Sequence, residues 1–358
     1  MKNKTFVFIA LTLIVSITAF SQSAGASGQY FDEDHLEDIN GTRLHFRVRG
    51  YDKANPYLLI LHGGPGASSL EYYPWGERLE RQLNVVYFDQ RGTGLSERVK
   101  FADPESPTIA EAKGFTLADA VRDIEGVRKI LGIKKWFVLG HSFGGMVGVE
   151  YVTAMSEHVF GYIHMDGLTS MRAINLDWLD YAERSVRKTA LTAAREDQTR
   201  IDEVLANVAK LRASSAEERN RQVGPMIISK ITPERIRDRF PAANDYDARI
   251  DAEVLTKYKI TPDKLGAPEP WFAFNLNENM ASREISPMLG DIQLPVLIIS
   301  AAGDPIIPAK RLVEMHKALP ISRMVVIQDA SHEEYKDQPV KTADAVMQFA
   351  AGIKLHHD

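Results

Sequence analysis

Short apolar runs without alternation recur along the chain and mark candidate buried strands. Six such runs begin at Pro56, Asn84, Lys134, Phe160, Leu294 and Arg323, and each ends close to a glycine or a polar residue. Continuous runs of this kind are typical of strands buried on both faces. Residues 36–50 alternate instead around Asn40-Gly41, a dipeptide that favours a hairpin turn. The pattern predicts a hairpin followed by buried strands.

Helical spacing separates these strands. Residues 117–131 repeat apolar positions every three or four residues, with Thr116 able to cap the helix and Gly132 able to end it. Similar stretches lie near 70–83, 143–155, 308–319 and 341–353. Alternating strands and helices predict a mostly parallel sheet with helices on both faces.

Residues 169–291 have a different character, since charged helical patterns replace the short apolar strands. One helical face there carries Ile201, Val204, Leu205, Val208 and Leu211. We expect this stretch to be a helical cap domain, inserted after the sixth core strand between core residues 27–168 and 292–358.

The first residues predict export. Residues 5–20 carry no charge, follow Lys2 and Lys4, and precede the small-residue segment "SQSAGASG". This order is typical of a secretory signal peptide over residues 1–26, with cleavage after Ser21 or Ala26. The alternative is an uncleaved anchor, although the run is shorter than the ~20 residues that a spanning helix needs. We expect a periplasmic or secreted protein without stable membrane association after cleavage.

Composition limits the partners. The 358 residues contain no cysteine, which excludes disulfides, and the net charge of −5 argues against nucleic acid or an anionic membrane as a partner. A small-molecule substrate, a peptide or an ester, fits better. The sequence implies no metal and no organic cofactor, and it does not indicate the oligomeric state.

The segment "GHSFGG" at 140–145 matches the G-x-S-x-G pattern of a nucleophile elbow. An apolar strand precedes Ser142 and a helical pattern follows it, which is the context that the elbow requires. Ser142 is therefore the candidate nucleophile.

A serine hydroxyl needs a base to take its proton. His332 follows the last predicted strand and is the candidate base, while His141 should point elsewhere because it adjoins Ser142. Asp304 follows the preceding strand and is the candidate acid, with Asp329 as an alternative. The chain order serine, aspartate, histidine is that of an α/β-hydrolase fold.

Two backbone N–H groups should form an oxyanion hole. One is expected from Phe143, the residue after the candidate nucleophile. The other is expected from "HGGPG" at 62–66, where the sequence leaves Gly63 and Gly64 as equal candidates.

Together these motifs resemble the proline iminopeptidase family of serine peptidases within the α/β-hydrolase superfamily. The resemblance is carried by "HGGPG" at 62–66, "DQRGTGLS" at 89–96, "GHSFGG" at 140–145, "GDPIIP" at 303–308 and "SHEE" at 331–334. It implies release of an N-terminal residue, often proline, from short peptides, with acidic cap residues binding the free amino group. Two positions depart from the family: Phe143 stands where tryptophan is frequent, and Ser331 where glycine is usual.

Within the cap, Trp271 and Phe274 lie near Glu278 in sequence and are candidate substrate-binding residues. A carboxylate beside aromatic rings could pair with an ammonium group. The alternative is that the rings belong to the core and Glu278 is solvated. Of the second family motif, Asp89, Arg91 and Ser96 are expected to tie neighbouring loops together rather than to act on substrate.

The candidate triad predicts a serine hydrolase that works through an acyl-enzyme, and the family resemblance implies that it is an aminopeptidase. A carboxylesterase or lactonase with the same triad is the main alternative. A catalytically silent ligand-binding protein on this fold is a third.

Overall fold

The computed structural model describes residues 28–98, 100–103, 108–191, 198–219, 255–256, 261, 264–267, 269–278, 280 and 283–355. The predicted signal peptide lies outside these residues. Among the helices of the described segments, none combines the length and the apolar character needed to cross a membrane.

Eight strands form one sheet: β1 (Phe31–Ile39), β2 (Thr42–Gly50), β3 (Tyr57–Leu61), β4 (Asn84–Phe88), β5 (Trp136–His141), β6 (Val159–Met165), β7 (Val296–Ala301) and β8 (Ser322–Ile327). Their order across the sheet is β1-β2-β4-β3-β5-β6-β7-β8. Pairing is antiparallel for β1 with β2 and for β2 with β4, and parallel from β4 through to β8. The mostly parallel sheet is confirmed. The hairpin is confirmed as well, since Asn40 and Gly41 adopt positive φ between β1 and β2.

The helices of the described segments are α1 (Tyr73–Gly76), α2 (Leu117–Ile130), α3 (Phe143–Ala154), α4 (Met171–Ala190), α5 (Gln198–Ala213), α6 (Glu269–Glu278), α7 (Ala309–Ala318), α8 (Glu334–Asp337) and α9 (Pro339–Ala351). Thr116 caps α2 by accepting a hydrogen bond from Asp119 N, as predicted. The long helix expected over 70–83 is wrong. A 3₁₀ turn (Ser69–Tyr72) and the four-residue α1 stand there, followed by turns.

Two apolar layers enclose the sheet, because successive strand residues face opposite sides. Leu59 and Leu61 of β3 belong to the layer that includes α2, α3 and α7, while Leu58 and Ile60 belong to the layer that includes α9. Burial on both faces explains why these strands lack alternation in the sequence. Because these strands are parallel, the carboxyl ends of β3, β5, β6 and β7 lie at one edge of the sheet.

The chain leaves and rejoins the core at neighbouring points. Ser170 and Glu284 form an antiparallel bridge, Met171 N donates to Arg283 O at 3.1 Å, and Ile285 N donates to Thr169 O at 3.1 Å. Helices α4, α5 and α6 lie between these points in sequence. Much of 220–263 lies outside the described residues, so the cap as a domain stays a prediction.

Candidate active site

Ser142 stands between β5 and α3 in a backbone conformation that is rare for a residue with a side chain. Its φ and ψ are 54° and −122°, and its backbone N–H donates to Met165 O at 3.2 Å. The turn needs glycine on either side: a Cβ at position 140 would collide with the carbonyl of Gly144, and one at 144 with the carbonyl of Leu61. Strain held in place by such packing is common at functional sites.

The three residues predicted for the triad lie together in the folded chain. His332 Nε2 lies 2.9 Å from Ser142 Oγ, and His332 Nδ1 lies 2.7 Å from Asp304 Oδ2. Asp304 is fixed from its other oxygen, which accepts hydrogen bonds from Ile306 N and Ile307 N at 2.6 and 3.0 Å. The arrangement has the distances needed to pass a proton from the serine to the histidine.

The surroundings of His332 tune its basicity. Burial lowers the pKa of this imidazole, but the charge and hydrogen bond of Asp304, with a smaller contribution from Glu333, raise it more, so the net shift is upward. Asp329, the alternative acid, has an exposed side chain in a turn of positive φ. Asp304 therefore occupies the position of the acid beside His332.

The side chain of His141 turns away from Ser142, as expected. It points toward the loop after β8 that carries His332, which we call the base loop. Its Nε2 lies 2.8 Å from the carbonyl oxygen of His332, and its Nδ1 lies 2.6 Å from the hydroxyl of Tyr72. Burial, together with the nearby His332, lowers the pKa of His141 to about 3. His141 is thus a neutral, buried connector. No local pattern in the sequence indicated the contact that Tyr72 makes with His141.

Two buried carboxyl groups lie behind the triad and were not anticipated. Asp166, which follows β6, and Glu334, which begins α8, are fully buried and contact each other. Asp166 Oδ2 accepts a hydrogen bond from Ala301 N at 2.9 Å. Burial raises the pKa of both groups well above the ordinary range, and each also feels the charge of Asp304. Two carboxylates this close retain a proton between them.

The "HGGPG" loop lies directly against the elbow. A Cβ at Gly63 would come 3.0 Å from the Cβ of Ser142, so a larger residue there would have to displace the elbow slightly. The buried His62 ring connects this loop to the segment after β4. Its Nδ1 donates to Gly63 O at 2.8 Å, and its Nε2 accepts from Gln90 N at 3.1 Å. Gly64 has a φ of +115°, and Phe143 begins α3.

The second family motif ties this loop to its neighbours. Four donors surround the buried carboxylate of Asp89: the Ser68 hydroxyl at 2.9 Å, the Ser69 and Leu95 backbone N–H groups at 2.8 and 2.9 Å, and the His45 imidazole at 2.9 Å. Burial raises the pKa of Asp89, but His45 and the other partners lower it to about 2. Ser96 Oγ donates to the Asp89 carbonyl at 2.6 Å, and Arg91 pairs with Asp123 at 2.8 Å. These contacts agree with the expected structural role.

The three cap candidates have structural partners. Phe274 is buried between Phe143 and Phe115, with ring centroids 5.1 and 5.7 Å away, and Trp271 packs half-buried on the same apolar layer. Glu278 Oε1 accepts a hydrogen bond from Leu117 N at 2.7 Å, at the start of α2. Phe274 therefore reaches the site through Phe143, whereas Glu278 binds a helix end; a role of either in binding substrate stays a prediction.

The described segments contain no group of three or more histidine, aspartate or glutamate side chains arranged to hold a metal ion.

A family model of the alpha/beta hydrolase fold matches residues 56–339. The chain therefore belongs to the α/β-hydrolase family, and it is a hydrolase. The resemblance to proline iminopeptidases is confirmed by curated relatives of that name.

One relative is the proline iminopeptidase of Neisseria meningitidis serogroup A, 26% identical over 335 residues, which cover 92% of this chain and 98% of that protein. Another is the proline iminopeptidase of Thermoplasma volcanium, 31% identical over 140 residues, which cover 39% of this chain and 44% of the relative. That second match thus spans less than half of the relative's length.

Solved structures share the fold. The proline iminopeptidase of Mycobacterium smegmatis aligns with a TM-score of 0.61 at 20% identity, covering 89% of this chain and 98% of that one. The enol-lactonase of Burkholderia xenovorans LB400 aligns with a TM-score of 0.56 at 20% identity, covering 88% and 100%. At these identities the likeness establishes the fold alone.

Proposed function

We propose that the protein is an exported serine aminopeptidase that releases N-terminal proline or a similar residue from short peptides. The observation that carries the chemistry is the pair of distances at His332, 2.9 Å to Ser142 Oγ and 2.7 Å to Asp304 Oδ2. The relative from Neisseria meningitidis, which aligns over nearly the whole chain, supports the peptidase assignment.

Ser142 Oγ attacks the carbonyl carbon of the substrate while His332 Nε2 takes the hydroxyl proton. Asp304 holds the imidazole so that Nδ1–H points at its carboxylate, and it stabilises the imidazolium that forms. His332 then gives the proton to the leaving amine, and an acyl-enzyme remains on Ser142. Water, deprotonated by the same imidazole, cleaves that ester and frees the amino acid.

The developing negative charge needs two N–H donors. Phe143 supplies one from the start of α3. The second comes from Gly63 or Gly64 of the "HGGPG" loop, which lies against the elbow. Each donor of this kind is worth about 3–4 kcal/mol of transition-state stabilisation.

A carboxylesterase or lactonase is the second candidate, and one observation favours it. An aminopeptidase needs an acidic group to bind the substrate ammonium, yet Glu278 bonds to Leu117 N. Glu183, another cap carboxylate, pairs with Arg187 and Arg212 at 2.8 and 2.9 Å. An ester substrate would need no such anchor.

One assay distinguishes the aminopeptidase from the esterase. Hydrolysis of L-proline 4-methylcoumarylamide is compared with that of p-nitrophenyl butyrate, using Ser142→Ala as the control. The aminopeptidase proposal expects amide cleavage that is abolished in the variant and lost when the proline nitrogen is blocked. Ester cleavage alone would overturn the peptidase assignment in favour of the esterase, and activity retained by Ser142→Ala would overturn the triad.

Export is tested separately by N-terminal sequencing of the protein recovered from cell fractions. The proposal expects a mature chain that begins at Gln22 or Ser27 in the periplasm or the medium. A chain that still begins at Met1 in the cytoplasm would contradict it.

A further inference from the structure

Three loops that build the site are joined by one buried chain of hydrogen bonds. Tyr72 lies in the 3₁₀ turn after the "HGGPG" loop, and its hydroxyl bonds to His141 Nδ1 at 2.6 Å. His141 precedes Ser142, and its Nε2 bonds to the carbonyl of His332. Tyr72 and His141 are only 1% and 4% exposed, so water does not compete for these bonds.

The direction of each bond follows from chemistry. A carbonyl oxygen can only accept, so His141 Nε2–H donates to His332 O. Because burial and the nearby His332 lower the pKa of His141 to about 3, its ring is neutral, and Nδ1 is therefore an acceptor. The Tyr72 hydroxyl then donates to Nδ1. Every member of the chain has a consistent role.

Aromatic packing holds this chain rigid. The Tyr72 ring stacks on Tyr335 with centroids 4.5 Å apart, and Tyr335 also meets the edge of His141 at 5.3 Å. The rings of His141 and His332 lie 4.9 Å apart. The base loop therefore rests on His141 through both its backbone carbonyl and its ring.

We propose that Tyr72 and His141 are positioning residues, which hold the oxyanion loop, the nucleophile turn and the base loop at the spacing that hydrolysis requires. Neither residue touches the reacting atoms. His141 fixes the backbone that carries His332. Tyr72 fixes the His141 tautomer and joins the turn that follows the "HGGPG" loop to it. The inference rests on the proposed triad of Ser142, His332 and Asp304.

The consequence is kinetic. A displacement of about 1 Å in a catalytic group can cost on the order of 10²-fold in rate. Loss of the chain should therefore lower kcat for any substrate the enzyme accepts, while leaving KM nearly unchanged because no substrate contact is removed.

The test measures kcat and KM in Tyr72→Phe, His141→Leu and His141→Gln, with whichever of L-proline 4-methylcoumarylamide and p-nitrophenyl butyrate the unaltered protein hydrolyses. Glutamine keeps a donor for His332 O and an acceptor for Tyr72, so it serves as the conservative variant. Tyr87→Phe is the matched control, because Tyr87 is equally buried and its hydroxyl donates at 2.7 Å to Glu80. Thermal unfolding of each variant establishes that it is folded at the assay temperature.

We expect Tyr72→Phe and His141→Leu to lower kcat about 10- to 100-fold with KM within about twofold. His141→Gln should recover most of that loss, and Tyr87→Phe should retain the original kcat. In proton NMR, the low-field resonance of His332 Nδ1–H should be kept in His141→Gln and shifted or lost in His141→Leu.

An original kcat in folded His141→Leu and Tyr72→Phe would overturn this inference while leaving the triad in place. If His141→Leu does not fold, Tyr72→Phe decides the matter by the same kinetic criterion. Activity of Ser142→Ala in the same assay would instead overturn the proposed triad, and the inference with it.

Discussion

His332 Nε2 lies 2.9 Å from Ser142 Oγ, although the two residues are 190 positions apart in the chain. The parallel sheet explains the meeting, because β5 and β8 end at the same edge with β6 and β7 between them. Ser142 follows β5 directly, and His332 lies in the loop after β8. The fold thus delivers a nucleophile and a base to one point from two distant segments.

The pH dependence of activity should report His332. The base must be neutral to accept the serine proton, and the charge and hydrogen bond of Asp304 raise its pKa above 6.5 in spite of burial. The acid limb of kcat/KM is therefore expected above pH 6.5.

Asp304→Asn removes the group that raises this pKa but leaves the burial that lowers it. The acid limb should consequently move to lower pH, and kcat should fall about 10⁴-fold through loss of the productive tautomer. Steady-state kinetics over a pH series measures both effects. An acid limb that stays in place in Asp304→Asn would assign the base to another group.

The turn at Ser142 should tolerate no side chain at Gly144. An alanine Cβ there would collide with the backbone carbonyl of Leu61, and a backbone atom cannot move aside as a flexible side chain can. We expect Gly144→Ala to lower the free energy of unfolding by about 1–3 kcal/mol. Urea denaturation measures the loss. Gly290→Ala is the control, since a Cβ at that position meets no atom within 4 Å.

The buried pair of Asp166 and Glu334 should make stability depend on pH. Burial raises both pKa values, so above about pH 4–5 the folded protein keeps a proton that the unfolded chain has released. The contribution of this pair to stability is therefore fully present at low pH and decreases as the pH rises toward the folded pKa. Asp304 and Asp337 face Glu334 and add to the repulsion.

Glu334→Gln replaces the shared proton with an amide N–H that can donate to Asp166 at any pH. The melting temperature of this variant should fall less between pH 5 and 9 than that of the unaltered protein. Glu333→Gln is the control, because the contribution of Glu333 to stability changes with pH in the opposite direction. Burial raises the pKa of Glu333 but Lys336 lowers it more, so its stabilising contribution is lost on acidification. Equal slopes in Glu334→Gln and the unaltered protein would exclude a shared proton.

Glu278 offers a test between a helix cap and an ammonium anchor. Its carboxylate bonds to Leu117 N at the start of α2, so Glu278→Ala should lower the free energy of unfolding by about 1 kcal/mol. A cap alone predicts equal KM changes for a free proline amide and its N-blocked form. A KM increase confined to the free amine would identify Glu278 as the anchor that the sequence suggested.

The features that depend on local sequence patterns, namely the strands, the hairpin and the triad candidates, could be predicted from the sequence. Apolar runs between helical stretches located β3 to β8, and the turn residues Asn40 and Gly41 located the hairpin. The serine, aspartate and histidine candidates followed from their positions after strands, which the sheet then brings to one edge.

Contacts that depend on three-dimensional packing were not predictable. Tyr72 bonds to His141 across 69 positions, and Glu278 bonds to Leu117 across 161. Neither partner carries a local signature. The expected helix over 70–83 failed for a similar reason. Its apolar residues satisfy helical spacing, but Gly76 packs against Tyr87 at the end of the short α1, where a longer side chain would not fit.

The most direct test of the central claim is mass spectrometry of the protein after reaction with a fluorophosphonate, which labels only an activated serine. The account predicts a single adduct on the peptide containing Ser142, no adduct in Ser142→Ala, and labelling slowed by orders of magnitude in His332→Ala. An adduct on another residue, or equal labelling rates with and without His332, would contradict it.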